Sequence, residues 1–246
     1  MAARIALVTG GMGGIGQAIC KKLHDQGAQV IAAYSRQHKA AKAWQLAQQK
    51  AGYHFAIAYA DITDFDSCAS MVKKVVKKVG LIDILVNNAG ITRDMTCCKM
   101  KKEDWDIVIN TDLNSTFYVT RLILPDMLER RYGRIINISS INAQKGQYGQ
   151  VNYAAAKAGI HGFTKALALE VAKKGITVNT ISPGYVATEM VMSISEDIRE
   201  KILSEIPIGR FAKPEEIAHV VAFLAEDKSS YITGANIAIN GGQYMT

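Results

Sequence analysis

Arg4-Ile5-Ala6-Leu7-Val8-Thr9-Gly10-Gly11-Met12-Gly13-Gly14-Ile15-Gly16-Gln17-Ala18-Ile19-Cys20-Lys21-Lys22-Leu23 is the stretch whose reading decides the fold. Arg4–Val8 is a short apolar run of the kind that forms a buried strand. Gln17–Leu23 alternates apolar and polar residues at helical spacing. Between them lie five glycines in seven residues. Strand, glycine loop and helix in that order form a dinucleotide-binding unit. The glycines permit a tight turn and a close approach of backbone to a pyrophosphate. The helix N-terminus adds free N–H groups and the positive end of its dipole. Gly10, Met12, Gly13, Gly14, Ile15 and Gly16 are therefore expected to line a cofactor.

The same alternation continues along the chain. Val30–Tyr34, Phe55–Tyr59, Ile84–Asn87, Arg134–Ile138, Thr177–Ser182 and Asn236–Ile239 read as further strands, with helical segments between them. This pattern predicts an α/β fold: one doubly wound parallel sheet of the Rossmann type, in a single domain over 1–246. No linker, low-complexity run or repeat interrupts it. Its longest departure runs from Tyr185 to Pro214, ahead of a helix expected near Glu215. A long connection after a late strand can act as a lid, here near 185–214.

Chemistry enters at Asn152-Tyr153-Ala154-Ala155-Ala156-Lys157, with Ser140 upstream. Residues i and i+4 share a helix face, so the phenol and the ammonium can point into one site. A free phenol has a pKa of about 10 and is a poor acid or base near neutrality. A neighbouring cation favours the phenolate and lowers that value, giving the pair a use in proton transfer at a carbonyl or alcohol oxygen. Asn87-Asn88-Ala89-Gly90 follows the fourth strand, at the sheet edge where such folds bind ligands. About 20 residues after the glycine loop, an NAD site places an acidic residue on the ribose. Here the second strand ends Ala33-Tyr34-Ser35-Arg36 without one. Ser35 and Arg36 suit a 2′-phosphate, which predicts NADP(H); His38 and Lys39 add to the positive surroundings.

Thr9-Gly10-x-x-x-Gly14-x-Gly16, Asn87-Asn88-Ala89-Gly90, Ser140, Tyr153-x-x-x-Lys157 and Pro183-Gly184 together resemble the short-chain dehydrogenase/reductase family, in the family's order and over essentially the whole chain. The resemblance implies NADPH-dependent reduction of a ketone. Tyr153 would protonate the developing alkoxide, Ser140 would position the carbonyl, and Lys157 would tune Tyr153 and hold the nicotinamide ribose. It further implies that Asp61 and Ile62 contact the adenine, and that Asn88, Ala89 and Gly90 border the cofactor. Pro183, Gly184, Val186 and Thr188 would hold the nicotinamide carboxamide. One position departs from the pattern. Asn110-Thr111-Asp112-Leu113-Asn114-Ser115 places Asp112 where the family has an active-site Asn. A carboxylate there could pair with Lys157, and the pH profile should change. Asn110 and Asn114 cannot replace it, because two positions along a helix turn a side chain by about 200°.

Finer resemblance is to family members that act on short 3-oxoacyl thioesters, implying a small-molecule acyl-CoA substrate. Gln144-Lys145-Gly146-Gln147-Tyr148-Gly149-Gln150 lies between Ser140 and Tyr153 and must border the pocket. Gln147 and Gln150 could donate to a thioester carbonyl. Tyr148 and Tyr185 could enclose the acyl chain, and Asp94 could orient the site. The same acyl group on a carrier protein is the alternative substrate. A nucleotide-binding scaffold without turnover is a further one, supported only by Asp112. The family also implies a homotetramer packed through helices around Trp105–Arg130 and Tyr153–Lys173, with Ala158, Phe163, Ala166, Leu167 and Leu169 as an apolar stripe.

The chain has 246 residues, 49% hydrophobic and 21% charged, with a net charge of +7. That is ordinary for a globular domain. The positive residues are dispersed: Lys73, Lys74, Lys77 and Lys78 alternate with valines as a solvated helix face, which points away from nucleic acid and suits phosphate-bearing small molecules. No apolar run reaches the roughly 18 residues of a membrane span, and no signal peptide is read at the start. Cys20, Cys68, Cys97 and Cys98 lack metal-ligand spacing, and adjacent Cys97-Cys98 makes a poor structural disulfide. No metal, no membrane and a reducing cytoplasm are the resulting expectations.

Overall fold

The computed structural model describes residues 3–35 and 38–245, leaving aside the side chains at 38 and 190. Seven strands form one sheet: β1 Ile5–Val8, β2 Gln29–Tyr34, β3 Ala56–Tyr59, β4 Ile84–Asn87, β5 Gly133–Ile138, β6 Ile176–Pro183 and β7 Asn236–Ile239. Their order is β3-β2-β1-β4-β5-β6-β7, with every pair parallel. The strands fall where the sequence pattern puts them, with ends shifted by a residue. Gln29 and Gly133 join because the ladder pairs them with Ile5 and Ile176; apolar periodicity cannot count a glutamine or a glycine.

Both faces of the sheet are buried, and the pleat assigns residues to them alternately. Ala6 and Val8, Val30 and Ala32, Ile84 and Val86, and Ile136 and Ile138 face one apolar layer. Leu7, Ile31, Leu85 and Ile135 face the other. The first layer is completed by α1 (Gly14–Asp25) and α10 (Pro214–Ala225), the second by α3 (Phe65–Lys78), α5 (Ser115–Arg130) and α7 (Val151–Val171). Helix α2 (His38–Lys50) brings Trp44 onto the first. At roughly 25 cal/mol per Å2, this two-sided burial is the main force holding the sheet.

The strand order reverses between β1 and β4, so the crevice of the sheet opens there, at its carboxyl edge. Two local features shape that edge. Helix α4 (Lys102–Ile109) runs into α5 through a π turn at Asn110–Asn114, where a regular helix is expected from the sequence. The connection after β6 is not irregular either: it holds α6's later counterparts α8 (Glu189–Met192) and α9 (Glu196–Ser204), α6 itself being Asn142–Lys145 after β5. Glu196 and Asp197 in the first turn of α9 and Lys201 in its last complement the helix dipole. Among the described residues no helix is long and apolar enough to cross a membrane.

Candidate active site

The glycine loop is built so that only glycine fits it. Gly10 has φ +62, and a Cβ on Gly16 would lie 2.2 Å from the Gly10 carbonyl oxygen. The loop thus folds onto the first turn of α1, whose N-cap is Gly13 and whose first turn has no acidic residue. Free amides and a positive dipole end face outward, the arrangement an anionic pyrophosphate needs. Thr9 and Asn88 brace it. The Thr9 hydroxyl oxygen accepts from the amides of Asn88 and Ala89 at 3.0 and 3.1 Å, while Asn88 Nδ2 donates to the carbonyls of Thr9 and Gly10 at 2.9 and 3.2 Å. The Asn88 side chain therefore works on the loop itself. Thr188 lies against Gly14, where a Cβ would meet its Cγ2 at 2.9 Å. Gly184 is pressed against Asn240 in the same way. The residues present fit a dinucleotide at this edge.

At the close of β2, Ser35 is exposed. Arg36 and the side chain of His38 lie outside the described residues. Asp61 is committed to a local turn: its Oδ1 accepts from the Thr63 amide at 3.0 Å and the Thr63 hydroxyl at 2.7 Å. Ile62 is buried beside it.

Ser140, Tyr153, Lys157 and Asp112 converge beyond the glycine loop. Ser140 follows β5. Tyr153 and Lys157 occupy the first two turns of α7, and Lys157 Nζ stands 5.6 Å from the Tyr153 ring centre. The ammonium donates to the Ile138 carbonyl at 3.0 Å and lies 3.3 Å from Asp112 Oδ2. Both partners of this ion pair are nearly dry, at 4% and 0% side-chain exposure. Asp112 Oδ1 accepts the Ile91 amide at 2.9 Å, tying the π turn to the segment after β4. Gly90 allows that approach; a Cβ there would lie 2.7 Å from Asp112 Oδ2. Asn114 Nδ2 donates to Asn110 Oδ1 at 2.7 Å, so those two amides pair with each other, away from Lys157.

Burial decides the protonation states. It pushes the Asp112 carboxyl upward, and Lys157 and the Ile91 amide pull it back. Burial likewise works against the Lys157 charge, but Asp112 and Tyr153 overcome it and the ammonium is strengthened. Tyr153 keeps part of its ring accessible, yet its hydroxyl is desolvated. Its pKa is raised by burial first; Lys157 and the hydrogen bond from Ser140 pull it down, while Asp112 and Asp94 add to the rise. The sequence reading gave Lys157 the deciding role. The cation acts in that direction, but desolvation is stronger, so the Tyr153 hydroxyl is held above its ordinary pKa.

The segment expected on the substrate side forms a hydrogen-bonded rim. Gln150 Nε2 donates to Asp94 Oδ2 at 2.8 Å, and Gln150 Oε1 accepts from Asn142 Nδ2 at 2.8 Å. The Met95 amide donates to the Gly149 carbonyl at 2.8 Å. Gln147 is half-buried, whereas Tyr148 is 87% exposed and encloses nothing in this state. Tyr185 is half-buried and faces Phe211, with ring centres 6.4 Å apart. The ends of the 185–214 segment are stitched together: Val186, buried, bridges to Ala212, and the Ala187 amide donates to the Ala212 carbonyl at 2.8 Å. Arg210 forks onto Glu216 at 2.7 and 2.8 Å, holding that carboxyl down at about 2. The 185–214 segment is thus tied together at its two ends.

Two residues to which the sequence reading gave no role hold the site's segments together. Asn152, fully buried, donates to the carbonyls of Arg93 and Asp104 at 3.0 and 3.1 Å, while its Oδ1 accepts the Tyr153 amide at 2.8 Å. Asn142 links Ser140 to Gln150. Among the described residues no His, Cys, Asp and Glu group could hold a metal ion. All four cysteines are free; Cys97 and Cys98 are exposed.

Residues 10–244 match the family model described as enoyl-(acyl carrier protein) reductase. The chain is 55% identical over 244 residues, 99% of each chain, to the acetoacetyl-CoA reductase of Allochromatium vinosum. It is 51% identical over 246 residues, the whole of both chains, to the acetoacetyl-CoA reductase of Cupriavidus necator. A 3-oxoacyl-(acyl-carrier-protein) reductase of Escherichia coli is 45% identical over 242 residues, 98% of each chain.

Proposed function

The chain belongs to the short-chain dehydrogenase/reductase family, and from that premise we propose that it reduces acetoacetyl-CoA to (R)-3-hydroxybutanoyl-CoA with NADPH. The observation that supports the reaction type is the placement of Tyr153 and Lys157 on one face of α7, with Nζ 5.6 Å from the phenol ring centre and held by the Ile138 carbonyl and Asp112, next to Ser140 at the end of β5. Full-length similarity to acetoacetyl-CoA reductases supports the substrate.

The bound nicotinamide supplies the hydride that reaches the ketone carbon. The protein's residues do the rest. Ser140 donates to the substrate carbonyl and fixes its direction. Tyr153 gives its proton to the oxygen as negative charge develops there. Lys157 stabilises the phenolate left behind and, through Asp112, stays charged while doing so. Because these groups are already oriented, they favour the transition state over the ground state. Ser35 and Arg36, with no acidic residue at the end of β2, support NADPH over NADH. The Asp94–Gln150 rim and Gln147 serve the thioester, and Tyr148 and Tyr185 the acyl chain once the lid is drawn in. Pro183, Gly184, Val186 and Thr188 serve the carboxamide, and Asp61 and Ile62 the adenine.

The assembly is a homotetramer in the cytoplasm, and its product suits polyhydroxybutyrate synthesis. On α7, Leu167 is buried inward while Leu169 is 85% exposed and Ala158 and Ala166 lie on the same outer surface, so the helix has apolar residues for a second partner. A 3-oxoacyl-(acyl-carrier-protein) activity is the second reading, favoured by the 45% identical relative of that name. Initial rates of NADPH oxidation with acetoacetyl-CoA, with the same acyl group on carrier protein, and with NADH in place of NADPH separate these. A kcat/KM preference for acetoacetyl-CoA with NADPH is the expected result; a preference for the carrier-protein thioester overturns the substrate, and one for NADH overturns the cofactor.

A further inference from the structure

We propose that Asn142 is a positioning residue of this site, transmitting the orientation imposed by Asp94 to the catalytic Ser140; the inference rests on the ketone-reductase reading above. One chain of hydrogen bonds runs from Asp94 through the side chains of Gln150 and Asn142, and then through the Asn142 backbone amide, to Ser140. These residues come from the segment after β4, the residue preceding α7, the start of α6 and the end of β5. No two neighbours in this chain of contacts are held together by local sequence except Ser140 and Asn142.

The polarity of the chain is dictated from one end. A carboxylate only accepts, so Asp94 Oδ2 turns the Gln150 amide with Nε2 toward itself, at 2.8 Å. The Gln150 oxygen then faces Asn142 and accepts from Nδ2, also at 2.8 Å. That choice fixes the Asn142 amide, and leaves its Oδ1 buried without a donor. An unpaired buried acceptor is unfavourable, so the orientation is held against a cost by the carboxylate two residues away. The Asn142 backbone amide in turn donates to Ser140 Oγ at 3.1 Å. With one lone pair of Ser140 taken, its O–H is left to donate to the phenol or to a carbonyl. The Nδ2 bond to Gln150 therefore ties the start of α6, and with it the backbone amide that meets Ser140 Oγ, to the residue preceding α7, fixing the spacing between Ser140 and the Tyr153 helix. No other side chain of this size pairs with Gln150 here: an aspartate has no donor, and an alanine leaves Gln150 Oε1 unpaired.

The test is a rescue experiment read by steady-state kinetics with acetoacetyl-CoA and NADPH and by thermal melting. Asn142→Asp keeps shape and removes the donor, setting oxygen against the Gln150 oxygen. It should lower kcat about tenfold, the size of one lost buried hydrogen bond, with KM for NADPH unchanged. Adding Asp94→Asn supplies a donor at the far end, so the Gln150 amide can reverse and both ends pair again. The double variant should return to within about threefold of Asp94→Asn alone. A double variant that shows the product of the two single losses overturns the proposal, as does full kcat in Asn142→Asp. Should Asn142→Asp melt too early to assay, Asn142→Ala takes its place: a kcat loss with KM for NADPH intact supports the role, and an unchanged kcat overturns it. If the native enzyme does not turn over acetoacetyl-CoA, the substrate reading fails by itself. The chain of contacts is then read from the melting temperatures of the same four proteins, where non-additivity upholds the coupling and additivity overturns it.

Discussion

Asp112 and Lys157 face each other across 3.3 Å with almost no water around them. A buried pair of this kind contributes little net stability, yet removing one partner is severe, typically about 3–5 kcal/mol, because it strands a charge. Its consequence here is electrostatic. Asp112 adds to the rise in the Tyr153 pKa that burial causes. Reduction uses the Tyr153 proton, so the rate falls as pH rises through that pKa. Asp112→Asn removes the negative charge, lowers the Tyr153 pKa and should move the alkaline limb of kcat/KM to lower pH while the melting profile stays cooperative. Superimposable pH–rate profiles would sink this. Tyr153, Lys157, Ser140 and Asp112 were legible in the sequence because each is a distinctive chemical type at a motif position. Asn142 and Asn152 were not, since an amide shows its use only through its partners, and theirs lie at positions 93, 104 and 150 as well as next door.

Elements place these groups by backbone geometry. The π turn at Asn110–Asn114 widens the helix where Asp112 must reach Lys157 and Ile91, a location typical of such turns. The glycine loop works by absence of side chains. At Gly16 a Cβ would meet backbone oxygen at 2.2 Å and Asn88 Nδ2 at 2.8 Å, and backbone cannot step aside. Gly16→Ala should therefore weaken NADPH at least about tenfold in a fluorescence titration, one tenfold being about 1.4 kcal/mol. Equal NADPH affinity in Gly16→Ala and the native protein would show that the loop is not the phosphate cradle. Strands were readable as short apolar runs and helices from a period of 3.6; the π turn was not, because it depends on contacts made by α7 and the segment after β4.

At the scale of the whole molecule, the edge opposite the site is closed by a cluster that no motif announces. The Tyr132 ring lies between the guanidiniums of Arg4, 3.7 Å from its centre, and Arg134, at 4.6 Å. Its hydroxyl donates to Asp227 at 2.8 Å, and Asp227 pairs with Arg4 and Arg134 at 3.4 and 3.5 Å. The cluster joins the residues ahead of β1 and β5 to the turn after α10. Tyr132 first, then the two arginines, hold the Asp227 carboxyl below its ordinary value against the opposing effect of burial. A depressed carboxyl stabilises the fold above its unfolded pKa, about 3.9, and loses that contribution as pH falls through the folded value. Asp227→Asn should therefore lower the melting temperature at pH 7, with the gap closing in acid and kcat unaffected. A gap that persists unchanged in acid would contradict the ionic role. The sequence alone determined the parallel sheet, the glycine cradle and the Tyr153–Lys157 pair, because hydrophobic period, missing Cβ atoms and i,i+4 spacing are properties of short stretches. Only the tertiary structure decided which way Tyr153 titrates and which amides hold the site together, because desolvation and hydrogen bonding depend on what the fold packs against each group.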